Sequence, residues 1–447
     1  MRGQSGMLAK HRLLLLAACM WAAAPVLAPH AQQLVLDEEF AQAAQTLAAP
    51  LRASLTPQTR VHYVLVNDPA INAFVTSENI IFIHSGLVQK AKNAAALQGV
   101  IAHELAHIAS NHLLQQEVHA KQAMLGALAG AALGIGAAAA GAPQAATALM
   151  VGGQAGAIQT MLSHTRTQEA EADSRAIAAL HKAGLSAQGM VDMFTTLRTE
   201  SQLSYDAPPP WLVTHPLPPE RLSSLTRATQ SESAQLTSGL AKAESSINFP
   251  RLQAKVMALT ASPGAVLRKY NAFDSVSRYA RALAYTRQGK LDFAESNLAP
   301  ILKENPTDPF YRELTGQIAL QRGDLPAAYA IYKALATEFP DHIMFRYQLA
   351  EILRNQDGFP DAIAHYQAVT RMWPEWAEPW LGLGLCYGKM GRLAESHLAR
   401  AQGFLVAPNP EAARQSLALA QQYLRTTPNP DAEQWATALQ TRLDNLK

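Results

Sequence analysis

The sequence predicts a mainly α-helical protein with a small β-sheet in its first half and an α-solenoid of stacked helix pairs in its second half. Two patterns carry this prediction. In the first half, short β-rich runs precede a stretch from Val100 to Leu125 that contains no Gly or Pro. In the second half, proline recurs every 34 residues, at Pro306, Pro340, Pro374 and Pro408.

Composition limits the class of protein. The chain has 447 residues, of which 16% are charged and 49% hydrophobic, and its formal net charge is +2. This length is enough for two or three domains with sizeable cores. Because the charge balance is close to neutral, there is no electrostatic case for a nucleic-acid partner, and we expect none.

Residues 1–31 have the pattern of an export signal. A basic start is followed by the short apolar segment Leu13 to Ala24. Small residues then allow cleavage after Ala28 or Ala31. We favour Ala31, because Pro29 would directly follow the first of these sites.

The chain contains two cysteines, Cys19 and Cys386. Removal of the signal leaves Cys386 alone, so no disulfide within the chain is expected even in an oxidising compartment. The alternative is a lipoprotein, because residues 16–19 resemble a lipobox. The apolar run continues well past Cys19, which favours the soluble exported form.

After the signal, residues 32–49 favour a helix that ends before Pro50, since apolar residues recur at roughly helical spacing. Three short runs rich in Val, Ile, Tyr and Phe follow, at 61–66, 73–76 and 80–84. They predict a small sheet just upstream of the Gly- and Pro-free stretch.

That stretch contains the motif H-E-x-x-H, formed by His103, Glu104 and His107. Two histidines four residues apart lie on one face of a helix, so both rings can reach one metal ion. Glu104 can then act as general base on a water, as in zinc-dependent peptidases. A helix that merely carries these residues is the alternative. The apolar neighbours favour the metal, because a buried His-Glu-His set needs polar partners.

A catalytic zinc site needs a third protein ligand. The pattern H-E-x-x-H-x-x-G-x-x-H is excluded, because Ser110 and Leu113 stand at its Gly and final His positions. At the start of a downstream helix, Glu169 and Asp173 share a face. One can bind zinc while the other accepts the spare N–H of a ligand histidine. Spacing does not rank Glu169 above Glu171, and an acidic first turn that only complements the helix dipole remains the alternative.

H-E-L-A-H followed by E-x-E-A-D resembles the M48 metallopeptidases. Residues 72–74 and 81–87 are also similar to the strand segments that precede the family's metal helix. The resemblance implies a zincin-type (gluzincin) metalloprotease domain with one Zn²⁺ per chain. It also implies that Glu169 is the third zinc ligand and that Asp173 holds a ligand histidine in place. An edge strand of the sheet can bind a peptide substrate through backbone hydrogen bonds, or the strands only pack the helix.

Residues 214–216, Thr-His-Pro, with Glu220-Arg221 resemble a further segment of the family. In a periplasmic branch of the family, this histidine can cap the zinc in a resting, self-inhibited state. His215 is therefore a candidate switch ligand, or alternatively a stabiliser of the transition-state oxyanion. From the residues alone, a turn histidine in a proline-rich loop would be favoured. His112, His119 and His164 are interpreted as structural or surface residues, and no role is assigned to them.

Residues 122–165 contain no Asp, Glu, Lys or Arg and are mostly Ala and Gly. The segment is long enough to cross a bilayer. We interpret it as packed helices or a cover over the active site, because Ala and Gly contribute little transfer energy and Pro143 interrupts it. Membrane contact is the alternative; a spanning segment is not expected.

The proline series is accompanied by two series of small residues with the same 34-residue step, which is the tetratricopeptide pattern. They are Ala282, Gly316, Ala350 and Gly384, and Ala294, Ala328, Ala362 and Ser396. We predict repeats at 275–308, 309–342, 343–376 and 377–410, followed by capping helices. Cys386 falls inside a repeat helix and is expected in the core. The concave surface of such a stack binds proteins.

The predicted organisation is a signal at 1–31, a metallopeptidase domain with connector helices at 32–267, and a repeat domain at 268–447. The function expected is an exported zinc metalloendopeptidase. Its family resemblance implies a periplasmic role on unfolded or stalled outer-membrane proteins, with the repeats contacting the assembly machinery or substrates. One alternative is a repeat-based chaperone or adaptor whose proteolysis is largely self-inhibited. The other is a membrane-associated peptidase of the same family.

Overall fold

The computed structural model describes residues 33–56, 59–76, 79–112, 115, 166–203, 210–233, 236 and 239–446. The predicted signal at 1–31, the Ala- and Gly-rich segment 122–165, His119 and His164 lie outside the described residues. Among the helices of the described part, none combines the length and apolar character that a bilayer crossing requires.

In the described residues, four strands form one sheet in the order β1-β2-β4-β3. The strands are β1 (Gln33–Val35), β2 (His62–Asn67), β3 (Ala73–Val75) and β4 (Ile80–His84). The central strands β2 and β4 are parallel, and β1 and β3 pair antiparallel to them at the two edges. The three β-rich runs of the sequence therefore form strands, and one of them, β3, is an edge strand.

The prediction of a helix over 32–49 is wrong at both ends. Residues 33–35 pair with β2, and helix α1 extends over Glu38–Leu55. Asp37 begins α1, because its side chain accepts a hydrogen bond from the Phe40 N–H at 2.9 Å. Pro50 removes one backbone hydrogen bond but does not end the helix. Fully buried leucines on either side of it, Leu47 and Leu51, hold this part of the helix in the core.

Seven helices of the first half follow in the described residues. They are α2 (Ser85–Lys90), α3 (Ala94–Ala109), α4 (166–182), α5 (Gln188–Leu203), α6 (Pro210–Thr214), α7 (Pro219–Gln230) and α8 (Gly239–Ser246). Helices α3 and α5 approach closely through two glycines. A Cβ on Gly99 would lie 2.7 Å from the Met190 nitrogen, and one on Gly189 would lie 2.1 Å from the Ala95 oxygen.

Two connecting helices lead to the repeats, α9 (Phe249–Thr260) and α10 (Pro263–Lys269). The repeats form four helix pairs between residues 275 and 406. The pairs are α11 (Ser275–Arg287) with α12 (Leu291–Glu304), α13 (Pro309–Arg322) with α14 (Leu325–Glu338), α15 (Ile343–Asn355) with α16 (Phe359–Met372), and α17 (Ala377–Lys389) with α18 (Leu393–Val406). Helices α19 (Pro410–Thr426) and α20 (Pro430–Asp444) follow. The predicted fold class is confirmed.

The small residues of the repeat pattern lie where the paired helices touch. A Cβ on Gly316 would come within 2.8 Å of the Tyr332 ring, which is fully buried. Across the fourth pair, the Ser396 hydroxyl donates to the Gly384 carbonyl at 2.7 Å. Cys386 is buried in this stack, and burial raises the pKa of its thiol to about 11. It is a core residue, as the sequence indicates.

One face of the sheet packs on the repeats. Along β2, Tyr63 and Leu65 belong to the core formed with α1 and α3, whereas Val64 packs with Trp373 and Trp376 of the repeats. The His62 ring stacks on Trp373 with a centroid distance of 4.6 Å and an interplanar angle of 8°. Since alternate residues of a strand point to opposite faces, both faces of this sheet are covered.

Buried ion pairs join the same two halves. Lys255 of α9 lies 2.8 Å from Asp37 and 3.2 Å from Glu39 at the start of α1. Arg251, one turn earlier, lies 2.6 Å from Glu39 and donates to Asp308, the residue just before α13, at 2.9 Å. The beginning of α1 is therefore held between the connector and the repeats.

Candidate metal centre

Helix α3 carries the H-E-x-x-H residues in the protein interior. Asn93 begins the helix by accepting from the Ala96 N–H at 2.9 Å. Every residue from Ala94 to His107 is buried. The Nε2 atoms of His103 and His107 lie 3.1 Å apart, so both rings point to one place, as the four-residue spacing predicts.

Helix α4 brings Glu169 to the same place. Its Oε2 lies 3.3 Å from His103 Nε2, and its Oε1 lies 3.4 Å from His107 Nε2. Glu169 is 1% exposed, whereas the side chain of Glu171 is 43% exposed and faces another way. The structure thus separates two glutamates that spacing did not rank.

His215 directly follows α6 and completes the cluster. Its Nδ1 lies 2.9 Å from Glu169 Oε1 and 3.5 Å from His103 Nε2. The His215 N–H donates to the Trp211 carbonyl at 2.6 Å, and the two rings pack edge to face. Burial of Trp211, which also touches the His103 ring, therefore fixes the position of the His215 loop.

These four side chains fit a metal ion. His103, His107, Glu169 and His215 each offer one ligand atom, and the four atoms lie within 4.8 Å of one another. The Nδ1 atoms of His103 and His107 face other partners, and their Nε2 atoms face each other at 3.1 Å. A shared cation stabilises that arrangement, and a tetrahedral zinc at ~2.1 Å from two nitrogens needs roughly 3.4 Å between them.

Glu104 lies beside the cluster with a free carboxylate. It is fully buried, and neither of its oxygens accepts a hydrogen bond within the described part of the chain. His215 Nε2 lies 3.7 Å from Glu104 Oε1. A buried carboxylate without such bonds is costly, and groups of this kind are found where they act on a substrate or water.

Asp173 and Arg221 contact the candidate ligands His103 and Glu169. Asp173 Oδ1 lies 3.0 Å from His103 Nδ1. Arg221 binds Asp173 through two hydrogen bonds, of 2.7 and 2.8 Å. Its third nitrogen lies 2.9 Å from Glu169 and donates to the Pro216 carbonyl at 2.7 Å. The guanidinium therefore ties both carboxylates to the backbone that follows His215.

The electrostatics of the cluster favour a negatively charged Glu169 next to positively charged groups. Burial alone would lower the pKa of His103, but contacts with Asp173 and Glu169 outweigh it and raise the pKa to about 9. Burial would raise the pKa of Glu169, yet His103, His107 and His215 hold it far below its usual range. The site thus stabilises an anionic Glu169 beside positive charge, which a divalent cation also supplies.

Two residues of this region were missed in the sequence. The sequence marks Arg221 only as part of a family segment. His112 was assigned no role, yet it is 1% exposed and its Nδ1 lies 2.9 Å from His107 Nδ1. The sequence feature that could indicate the position of His112 is Asn111. Asn111 follows the end of α3 and adopts the left-handed conformation, with a φ of 52°. The substrate role predicted for the edge strand remains a prediction.

Two family models match separate parts of the chain. A family model described as peptidase family M48 matches residues 34–229, and a tetratricopeptide repeat model matches 279–343 and 347–402. A Vibrio cholerae protein described as a β-barrel assembly-enhancing protease is 30% identical over 382 residues, covering 82% of this chain and 76% of that protein.

Two Escherichia coli (strain K12) proteins are also similar. The β-barrel assembly-enhancing protease is 32% identical over 274 residues, covering 59% of this chain and 54% of the relative. The metalloprotease YcaL is 31% identical over 156 residues, covering 34% of this chain and 58% of the relative. Each of these matches therefore spans about half the length of the E. coli relative.

Proposed function

Because the chain belongs to peptidase family M48, with tetratricopeptide repeats after its metallopeptidase domain, we propose that it is a zinc-dependent endopeptidase of the periplasm. Its proposed substrates are misfolded or stalled outer-membrane proteins. The observation that carries the proposal is the convergence of His103, His107 and Glu169 on one point beside the free carboxylate of Glu104.

In this proposal, His103 and His107 would hold one Zn²⁺ through their Nε2 atoms, and Glu169 would hold it through its carboxylate. A zinc held there would supply Lewis acidity toward the scissile carbonyl and would lower the pKa of a water. Asp173, whose Oδ1 lies 3.0 Å from His103 Nδ1, would keep the proton of that ring on Nδ1 and leave Nε2 available for the metal.

Glu104 is the proposed general base. It removes a proton from the attacking water and then delivers that proton to the nitrogen of the leaving amine. Its burial supports this role, because a carboxylate shielded from bulk water keeps the proton within the site. The absence of hydrogen bonds to it from the described side chains leaves both oxygens available for that water.

His215 is the proposed switch. Its Nδ1 lies near both Glu169 and His103, within reach of the same point as the ligands. A fourth protein ligand there would occupy the position that a catalytic zinc keeps open for water. The alternative role is to stabilise the oxyanion once the loop has moved.

The repeats are proposed to bind unfolded substrates or the outer-membrane assembly machinery. Support comes from the names of the relatives in V. cholerae and E. coli, which refer to β-barrel assembly.

The position of His215 favours one rival function, that of a chaperone or adaptor whose proteolysis is mostly inhibited. Glu104→Gln separates the two, because it should keep zinc and lose the base. Full rescue by Glu104→Gln of an outer-membrane defect in a deletion strain would favour the adaptor.

The proposal is tested by measuring zinc by elemental analysis in the wild type, Glu169→Ala and Glu171→Ala, with casein cleavage alongside. We expect one zinc per chain, lost in Glu169→Ala and retained at saturation in Glu171→Ala. Zinc lost in neither variant would refute the assignment of Glu169. A wild type that binds no zinc would refute the peptidase mechanism itself.

A further inference from the structure

The two ligand histidines of the candidate metal centre are supported differently. His103 Nδ1 faces the carboxylate of Asp173 directly, at 3.0 Å. His107 Nδ1 instead faces another imidazole, that of His112, at 2.9 Å. The Nε2 of His112 in turn lies 3.4 Å from Oε2 of Glu171. Each candidate ligand histidine is therefore linked to a carboxylate. His103 contacts Asp173 directly, and His107 is linked to Glu171 through the buried ring of His112.

Hydrogen-bond chemistry gives this second chain a direction. His107 must keep Nε2 unprotonated to bind a metal, so its proton sits on Nδ1 and must be donated. His112 Nδ1 can accept a hydrogen bond from the Nδ1–H of His107 only if the proton of His112 is on its Nε2. That N–H then points to Glu171. One carboxylate thus sets the tautomers of two rings.

The end of α3 makes this contact possible. In a continuous helix, a residue five positions after His107 would point about 140° away from it, because each residue turns ~100°. Asn111 instead adopts a φ of 52°, and Asn tolerates this left-handed conformation better than most residues. The reversal of direction brings the His112 ring within 5.0 Å of the His107 ring, measured between centroids.

Glu171 is itself held in position. Its Oε1 accepts hydrogen bonds from the Ser110 hydroxyl at 3.1 Å and from Arg175 Nε at 2.8 Å. Its side chain is 43% exposed, whereas His112 is 1% exposed. Water can therefore replace the Glu171 carboxylate more easily than anything can replace the buried ring.

We propose that His112, backed by Glu171, is a positioning residue that fixes His107 in the tautomer and orientation required for zinc. The inference rests on the proposed function, because it concerns the same metal. It gives Glu171 a role other than that of a ligand. Outer partners of this kind typically change metal affinity by about 10- to 100-fold when removed.

The test is zinc affinity of the metal-free protein, measured by competition with a chromogenic chelator, for wild type, His112→Asn and His112→Leu. Asn places an acceptor near the position of Nδ1, whereas Leu keeps the volume without any acceptor. We expect His112→Leu to bind zinc about 10- to 100-fold more weakly and His112→Asn to stay close to the wild type. His84→Leu is the matched control, since this equally buried ring contacts Phe74 and Asp68.

Equal affinity of His112→Leu and wild type would overturn the inference, as would an Asn variant that is as weak as the Leu variant. Wild-type protein that binds no zinc would instead refute the proposed function, and this inference with it. A second pair of variants, at Asn111, tests the inference without changing the His112 ring. Asn111→Gly should preserve affinity and Asn111→Val should lower it, because Val disfavours positive φ.

Discussion

His215 Nδ1 lies 2.9 Å from Glu169 Oε1, the same oxygen that lies 3.4 Å from His107 Nε2. One carboxylate oxygen thus faces both a proposed permanent ligand and the proposed switch. Because Glu169 is buried, its carboxylate cannot rotate into solvent and so contact one histidine at a time. Any movement of His215 therefore changes the environment of Glu169 directly.

Replacement of His215 tests the switch. We expect His215→Ala to raise basal casein cleavage while zinc content stays at one per chain, because the position open to water is no longer contested. Cleavage and elemental analysis on the same preparation check this. Reduced cleavage with zinc retained would instead assign His215 to the oxyanion, and loss of zinc would make it a required ligand.

Arg221 should be critical for stability. Arg221→Met leaves the buried carboxylates of Asp173 and Glu169 without their shared cation. We therefore expect the free energy of unfolding to fall by about 3–5 kcal/mol, measured by urea denaturation. Arg312→Met is the matched control, since Arg312 also makes two hydrogen bonds to one carboxylate, Glu338, at the surface. Solvent screening should make its effect small, and an equal loss in both variants would contradict this account.

His62 should make the protein sensitive to acid. Burial, with a smaller effect of Arg60, lowers the pKa of His62 to about 4. In the unfolded chain the pKa is about 6.5, so the unfolded state binds more protons between these values. The contribution of this group is complete above pH 6.5 and is lost as the pH falls towards 4. We expect His62→Phe, which keeps a ring to stack on Trp373, to lose less stability than the wild type between pH 7 and pH 4.5.

The measurement for His62 is the free energy of unfolding at both pH values in each protein. Because other groups titrate identically in the two proteins, the difference between their pH dependences isolates His62. Parallel dependences in wild type and variant would show that the His62–Trp373 stack tolerates the proton.

Gly316 should tolerate no side chain. Gly316→Ala places a Cβ within 2.8 Å of the buried Tyr332 ring, so we expect a loss of about 1–3 kcal/mol in the free energy of unfolding. Gly264→Ala is the control, because its Cβ would meet only the end of Arg268, at 3.5 Å. In that helix, Ala should instead stabilise by about 0.4–1 kcal/mol. A neutral Gly316→Ala would mean that the second repeat is more loosely packed than the structure shows.

The sequence predicts features whose cause is local. His103, Glu104 and His107 follow from helical spacing, and the repeats follow from their period. Glu169 could not be separated from Glu171 by spacing, because both lie in one helical turn and only the packing of α4 against α3 decides which is buried. The family resemblance pointed to Glu169, the glutamate that the structure places beside the two histidines.

Features that depend on tertiary closure were missed. Arg221 reaches Asp173 across 48 positions of the chain, and no local pattern marks that contact. The sequence does not predict the position of His112, because a Gly- and Pro-free stretch predicts one continuous helix, whereas Asn111 interrupts it. The sequence predicts helix for the short strand at 33–35, because the pairing of this strand with β2 leaves no mark in the spacing of its apolar residues.

The cover that Trp373 and Trp376 place over β2 and β4 has a consequence for biosynthesis. The strands that precede the metal helix leave the ribosome long before these tryptophans do. Until the third repeat is made, Val64 and Ile80 face water, and the sheet is exposed to other unfinished chains. Protein released by premature termination would lack this cover. The second face of the sheet should therefore be shielded from water only after the third repeat has folded onto it.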